Sequence, residues 1–295
     1  MRSNAAAAHS NVTDIRSHPC FSDHLNRRKA RLHLPVSAAC NIQCRFCVRS
    51  CNPTENRPGV SSGILAPKDA VETVRQALEL CPDLSVVGIA GPGDAFASPH
   101  AMETFHLVHK SYPTLIKCVS TNGLALPGKA EALRGVGVLT LTVTVNAVDP
   151  EITARIVSRV LTGGKAVSGE EAGTILIRSQ LTGIREAAAA GITVKVNTVL
   201  IPGINDGHIA DIARAVSEAG ASKHNIIPLL PQYEFADTPA PTCEQIEAAR
   251  AAAAPYIQQF LHCAHCRADA CGIPGESDFA DQLYKGRAME TFSHG

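Results

Sequence analysis

Three cysteines, Cys40, Cys44 and Cys47, stand close together in "CNIQCRFC", a C-x₃-C-x₂-C run. Thiolate sulfur is a soft donor that selects iron–sulfur clusters or zinc. Three thiolates on a [4Fe–4S] cube leave one iron without a protein ligand. A fully ligated cube suits electron transfer, whereas an open iron can bind a small molecule, much as catalytic zinc keeps an open position. The same spacing also admits a zinc site, or a ferredoxin-like cluster completed by Cys51. Further thiols gather at the two ends of the chain. Cys20 has His24 four residues on, a Cys/His pair in which His24 competes with the reading of an ordinary surface histidine; His18 and His33 are rival nitrogen ligands. Cys263 and Cys266 form a two-thiolate clip, which also reads as half of a zinc site. Cys271 is an extra thiol beside that clip, and Cys81 and Cys243 sit in helix-flanking positions as inert cysteines.

The rest of the chain must position these groups. It has 295 residues, 45% hydrophobic and 18% charged, enough for a sizeable core. Lys+Arg and Asp+Glu are both 27, so nothing in the charge balance favours nucleic acid or an anionic membrane. No apolar run approaches the length of a membrane span, and the first residues lack a signal-peptide core, so a cytoplasmic protein is expected. In a reducing compartment, eleven cysteines, eight of them clustered near the two ends of the chain and Cys81, Cys118 and Cys243 scattered, favour metal over disulfides. Apolar β-rich runs at 31–37, 84–91, 115–123, 137–147, 192–201 and 225–231 alternate with helical patterns, among them 66–80, 99–110 and 209–220. The stretch from about Pro150 to Ala190 reads as helical, interrupted by "LTGGKAVSGEE". Thr242 and Gln245 have capping-box spacing.

Six β-then-α units imply parallel strands joined by right-handed crossovers. Six falls short of a closed eight-stranded barrel, so the expected fold is an open, partial (β/α)6 TIM-like barrel; a doubly wound sheet is the alternative. Either fold puts ligands at the C-terminal strand ends, where the cysteine run lies. Cys118 leads into the turn after the third strand. It either points into the barrel mouth or is a buried core thiol.

The cysteine run, with Phe46 before its last cysteine, resembles the radical S-adenosylmethionine (SAM) superfamily. So do "GIAGPGD" (88–94), "STNG" (120–123), "VNAVD" (145–149) and "VNTVLIPGIND" (196–206), each at a strand end. The resemblance narrows on "HPCFSDH", "ENRPGV" and "HCAHCRADACG" to the maturases of the nitrogenase iron–molybdenum cofactor. It implies a [4Fe–4S] cluster on Cys40, Cys44 and Cys47 whose open iron binds SAM. Gly91, Gly93, Asp94, Ser120, Asn122 and Asn146 would then hold SAM. Two additional [4Fe–4S] substrate clusters would be bound through Cys20, His24, Cys263 and Cys266, fused, and given a carbide from SAM to make an eight-iron cofactor precursor. Cys51 and Glu55 would take protons from the methyl-derived carbon, Cys118 would face the chemistry, and Arg57 would pair with an anionic cluster or the SAM carboxylate. Partners implied are cluster donors, cofactor scaffold or carrier proteins and a low-potential electron donor. The expected organisation is a lead-in at 1–17, a barrel with an N-terminal ligand segment at 18–260, and a cluster-binding tail at 261–295. The spacing "CVRSCNPTE" departs from the maturase loop. A peptide-modifying radical SAM enzyme and a non-catalytic iron–sulfur scaffold are the competing readings.

Overall fold

The structure, a computed structural model, describes residues 18–21 and 29–284. Six parallel strands lie in sequential order: β1 (Ala30–His33), β2 (Leu84–Ile89), β3 (Ile116–Thr121), β4 (Val138–Thr144), β5 (Thr193–Leu200) and β6 (Lys223–Pro228). β1 and β6 do not pair. β1 is instead covered by an antiparallel strand, Cys271–Gly272, and β6 by Gln258–Gln259. The sheet is therefore the open partial barrel that the alternation of elements predicts.

Helices α1 (Ala70–Leu80), α2 (His100–Ser111), α3 (Ala130–Gly135), α4 (Pro150–Ile156), α5 (Gly169–Ala189), α6 (Ile209–Glu218) and α7 (Cys243–Ala253) cross over between strands or follow the last one. Their local signals are visible. Asp149 caps α4 by accepting from the Ile152 N–H at 3.0 Å, with Pro150 in the first turn. The Thr242–Gln245 capping box is present in both directions. The outer face of the sheet buries Val87, Val119, Leu141 and Val196 against Val74, Phe105, Ile184 and Val216 of the helices. Each such side chain contributes roughly 1.5–3 kcal/mol when fully buried.

One expectation fails. The stretch after α4 is a β-hairpin, Val157–Thr162 with Lys165–Val167, where continued helix is expected. Its first strand pairs antiparallel with Ile42–Cys44, Ile42 opposite Val160 and Cys44 opposite Val157. The cysteine run is thus stitched to a segment more than a hundred residues away, and tertiary pairing overrides local helix propensity. Among the described residues no helix is long and apolar enough to cross a membrane.

Candidate functional site

Two cavities meet at the C-terminal end of the barrel. The first, about 200 Å³, is lined by Cys40, Cys44 and Cys47 on one side and by the ends of β2, β3 and β4 on the other. The cysteine loop is fixed by many backbone ties. Arg45 N–H donates to Ile156 O at 2.9 Å, Leu161 N–H to Asn41 O at 2.8 Å, and the buried Arg49 Nη1 to Ala38 O at 2.8 Å. The turn after β2 packs directly beneath it. Gly93 N–H donates to Ser37 O at 2.6 Å and Asp94 N–H to Ala39 O at 2.8 Å. A Cβ on Gly93 would overlap the Ala39 carbonyl, and Gly91 has φ +119°, so the glycines serve close approach and a left-handed turn.

Of the expected cofactor residues, Gly93, Asp94, Ser120, Asn122 and Asn146 line this cavity, Gly91 only shapes the turn beside it, and Asp94 and Asn122 spend polar atoms bracing the wall. Buried Asp94 accepts from Thr121 Oγ1 (2.8 Å), Asn122 N–H (2.6 Å) and Phe96 N–H (2.9 Å). Asn122 Nδ2 reaches Asn41 Oδ1 at 2.7 Å and the Cys40 sulfur at 3.7 Å. Asn146 Oδ1 accepts from Val199 N–H at 2.9 Å, leaving its NH₂ as the donor toward the cavity it lines. Ser120 lies in the shared wall. Gln180, not singled out in the sequence, donates from Nε2 to Asn122 O and Thr144 O, both at 2.9 Å, and so ties two strand-end turns together.

The donor set suits an iron–sulfur cluster. All three thiols are free and face one cavity. Burial pushes Cys40 up to about 11, drives Cys44 well above the usual thiol range and raises Cys47; Cys44 is pushed further by its two neighbours. Such thiols become thiolates only against compensating positive charge, which iron provides as it binds.

The second cavity, about 330 Å³, is the barrel interior. Alternate residues of the strands point into it, as the two-residue period requires: Arg31 and His33 on β1, Val86 and Gly88 on β2, Cys118 and Ser120 on β3, Thr142 and Thr144 on β4, Lys195 and Asn197 on β5. Cys20 and His18 enter from the N-terminal segment, and Cys263, His265 and Cys266 from the tail. Phe46, Cys47, Ser120 and Thr144 line both cavities, so they form the wall between them. Arg31 and Lys195 are buried cations there, and among the described residues no carboxylate lines this chamber. Arg31 Nη2 donates to the Cys266 sulfur at 3.1 Å. Lys195 Nζ donates to Cys20 O at 3.1 Å and sits over the Phe21 and Phe260 rings at 4.9 and 4.7 Å. Burial, reinforced by neighbouring Cys266, Cys118 and Cys263, pushes Cys20 up to about 12.

The histidines differ in what they present. His33 Nδ1 lies 3.0 Å from Arg267 O, a carbonyl that can only accept, so Nδ1 carries the proton and Nε2 the lone pair. This is the usual arrangement of a metal-bound histidine, whose other nitrogen donates to a carbonyl or carboxylate. Burial holds His33 down at about 4, hence neutral at pH 7. Burial also keeps His18 well below the usual histidine range. His24 lies outside the described residues.

Other expected residues are placed elsewhere. Glu55 is exposed and bound by Arg57 at 2.6 Å and by Asn52 Nδ2 at 2.8 Å; Arg57 also donates to Val48 O at 2.6 Å. Cys51 is half-buried beside Ser61. None of the three lines either cavity, although Pro58 and Gly59 of the same loop reach the chamber. Cys271 is buried opposite Leu32, in the core with Cys81, away from the chamber. Cys243 is exposed. Among the described residues, no three Cys, His, Asp or Glu side chains gather on a single-ion site. The tail owes its path to a buried pair, Arg267 and Asp269, joined at 2.9 and 3.0 Å, with Ser62 N–H donating to Asp269 at 2.5 Å. Two opposite charges two residues apart in an otherwise small-residue tail were the available signal for that pair.

The family model described as the Radical SAM superfamily matches residues 34–216. The chain is 42% identical to the FeMo cofactor biosynthesis protein NifB of Methanocaldococcus infernus, covering 94% of this chain and 92% of that protein. It is 40% identical to the NifB of Methanocaldococcus jannaschii over the whole of both. It is 46% identical to the NifB of Klebsiella pneumoniae over 88% of this chain, but spans only 57% of that longer relative. Among solved structures, a radical SAM methyltransferase from Sphaerobacter thermophilus superposes with a TM-score of 0.55 at 20% identity, covering 79% of this chain and 64% of that one. Streptococcus suis SuiB bound to S-adenosylmethionine gives 0.57 at 13%, covering 78% and 49%. At such identity these two speak for the fold alone.

Proposed function

The chain belongs to the radical SAM superfamily and, within it, to the NifB family, and from that membership we propose that it joins two [4Fe–4S] substrate clusters around a carbon atom taken from SAM. It is a radical SAM enzyme of FeMo cofactor biosynthesis. The observation that carries the finer reading is the chamber: free thiols from both ends of the chain face the barrel interior and share a wall with the three-cysteine cavity.

In this reading Cys40, Cys44 and Cys47 hold the resident cluster, with Gly93, Ser120 and Asn146 along the SAM cavity, Gly91 turning the chain beside it, and Asp94, Asn122 and Gln180 keeping its wall in shape. When bound, the cluster and SAM together supply a 5′-deoxyadenosyl radical. Cys20, Cys118, Cys263, Cys266 and His33 hold the substrate clusters, and Arg31 and Lys195 offset the negative charge that thiolate-ligated clusters bring. Phe46, Ser120 and Thr144 limit what passes between the cavities. With no carboxylate in the chamber among the described residues, protons shed from the incoming carbon leave through thiol or imidazole groups of its wall; Cys51 and Glu55 would need the 50–59 segment to move. The N-terminal segment and the tail are read as ligand-bearing extensions of the barrel. Its partners are then cluster donors, a low-potential electron donor and a carrier for the product.

The test uses SAM labelled in its methyl group. The protein reconstituted under anaerobic conditions should hold roughly twelve irons, three four-iron cubes, and keep the label until acid breaks the cluster. The Cys263→Ala/Cys266→Ala variant should still bind SAM but retain no label. Label placed on a peptide would favour a peptide-modifying enzyme. A plateau near four irons would remove the substrate clusters.

A further inference from the structure

His18 is 2% exposed and lines the barrel chamber. Its Nδ1 lies 3.0 Å from the backbone nitrogen of Cys20. A backbone N–H can only donate, so this Nδ1 must carry a lone pair, and the ring proton sits on Nε2. The ring is held in that pose. Phe21 N–H donates to His18 O at 3.0 Å, and the Phe21 ring meets the imidazole edge-on at 4.8 Å. Binding iron through Nε2 would require the proton on Nδ1, two donors then facing each other across 3.0 Å. Nε2 is itself buried and has no hydrogen-bond partner among the described residues. An unsatisfied buried donor is uncommon in folded proteins and marks the place of an absent acceptor.

The chamber wall indicates which acceptor fits. Arg31 and Lys195 are also donors, and among the described residues no carboxylate lines the space. His33, also on the chamber wall, carries the opposite tautomer and presents a lone pair. We propose that His18 is a hydrogen-bond donor, from Nε2–H to a sulfur of the cluster bound in the chamber, and not itself a ligand of that cluster. The "HPC" segment is then one unit that delivers a ligand, Cys20, and a positioning donor, His18, on a single turn. The inference rests on the chamber's holding clusters, as proposed above.

N–H···S bonds raise the reduction potential of an iron–sulfur cluster. His18→Leu removes the donor; His18→Gln keeps an amide donor. Reconstituted proteins are compared by iron content, EPR-monitored redox titration and pulsed-EPR nitrogen coupling. The expected result is an accessory-cluster potential shifted negative in His18→Leu and restored toward wild type in His18→Gln. Histidine nitrogen coupling should be retained in both. Loss of that coupling in His18→Leu at unchanged iron content, or an unmoved potential, overturns the proposal. If His18→Leu takes up no accessory cluster, His18→Gln decides: loading at near-wild-type potential supports the donor, and failure to load makes His18 a ligand. A wild-type protein that holds only four irons instead refutes the chamber reading beneath it.

Discussion

Asp269 has no exposed surface, and its carboxylate is the anchor on which the Cys263–Cys266 tail turns back to β1. Removing one partner of a buried ion pair leaves the other charge unpaired, at a cost of about 3–5 kcal/mol. Asp269→Ala should therefore lower the melting temperature and strip the accessory iron. Exchanging both Arg267 and Asp269 for apolar residues of similar volume should cost less than the single change; thermal melts and iron assays of the three proteins check this. His224 gives a pH dependence. It is fully buried, with Nε2 2.9 Å from Thr198 Oγ1, and burial lowers it from 6.5 to about 4. The unfolded chain takes up the proton first as pH falls. Its contribution to stability is thus complete above pH 6.5 and lost between 6.5 and 4, a loss of about 3 kcal/mol. His224→Gln should flatten that part of the stability–pH curve, measured by urea unfolding, while His18 and His33 keep the remainder sloped.

The hairpin Val157–Thr162 and Lys165–Val167 is the element that distinguishes a loop carrying three cysteines from a site. Val160 is fully buried opposite Ile42 in the small core beneath the cysteine run, whereas Leu161 on the same strand is 45% exposed. Val160→Ser should cost about 2–3 kcal/mol through lost burial and an unpaired hydroxyl. Its effect on function should be local: the SAM-dependent EPR change of the first cluster weakens while accessory iron is held. Leu161→Ser, the control, should change neither. The run "RIVSRVLTGGKAV" does carry a hairpin signal, β-branched residues around Gly-Gly. Flanked by two helices, it is as compatible with an interrupted helix, and only the partner strand Ile42–Cys44 decides between them.

At the scale of the molecule, two cavities with separate ligand sets share one wall. Replacing Cys40, Cys44 and Cys47 together with alanine should abolish 5′-deoxyadenosine formation yet leave about two-thirds of the iron, the share of two cubes in three. Cys47 borders both cavities, so a loss of total iron slightly beyond one third would be the signature of that shared wall. A protein that keeps cleaving SAM would remove the assignment of the first cavity.

The C-x₃-C-x₂-C spacing, the Gly-rich turns and the six alternating units are local patterns, and they were enough to read the barrel, its open edge and the face that carries the site. Spacing reports neighbours along the chain. It says nothing of which way a residue faces once strands from across the sequence close around a space. That is why Cys271, five residues after Cys266, belongs to the core while Cys266 faces the chamber. It is why Glu55 and Arg57 satisfy one another outside the cavities. Lys195 and Arg31 read as unremarkable charges in apolar strands; the two-residue period of β1 and β5 turns both inward, where they set the sign of the chamber. The proton positions on His18 and His33 were fixed last of all, by a backbone N–H and a backbone carbonyl that only the folded chain brings to them.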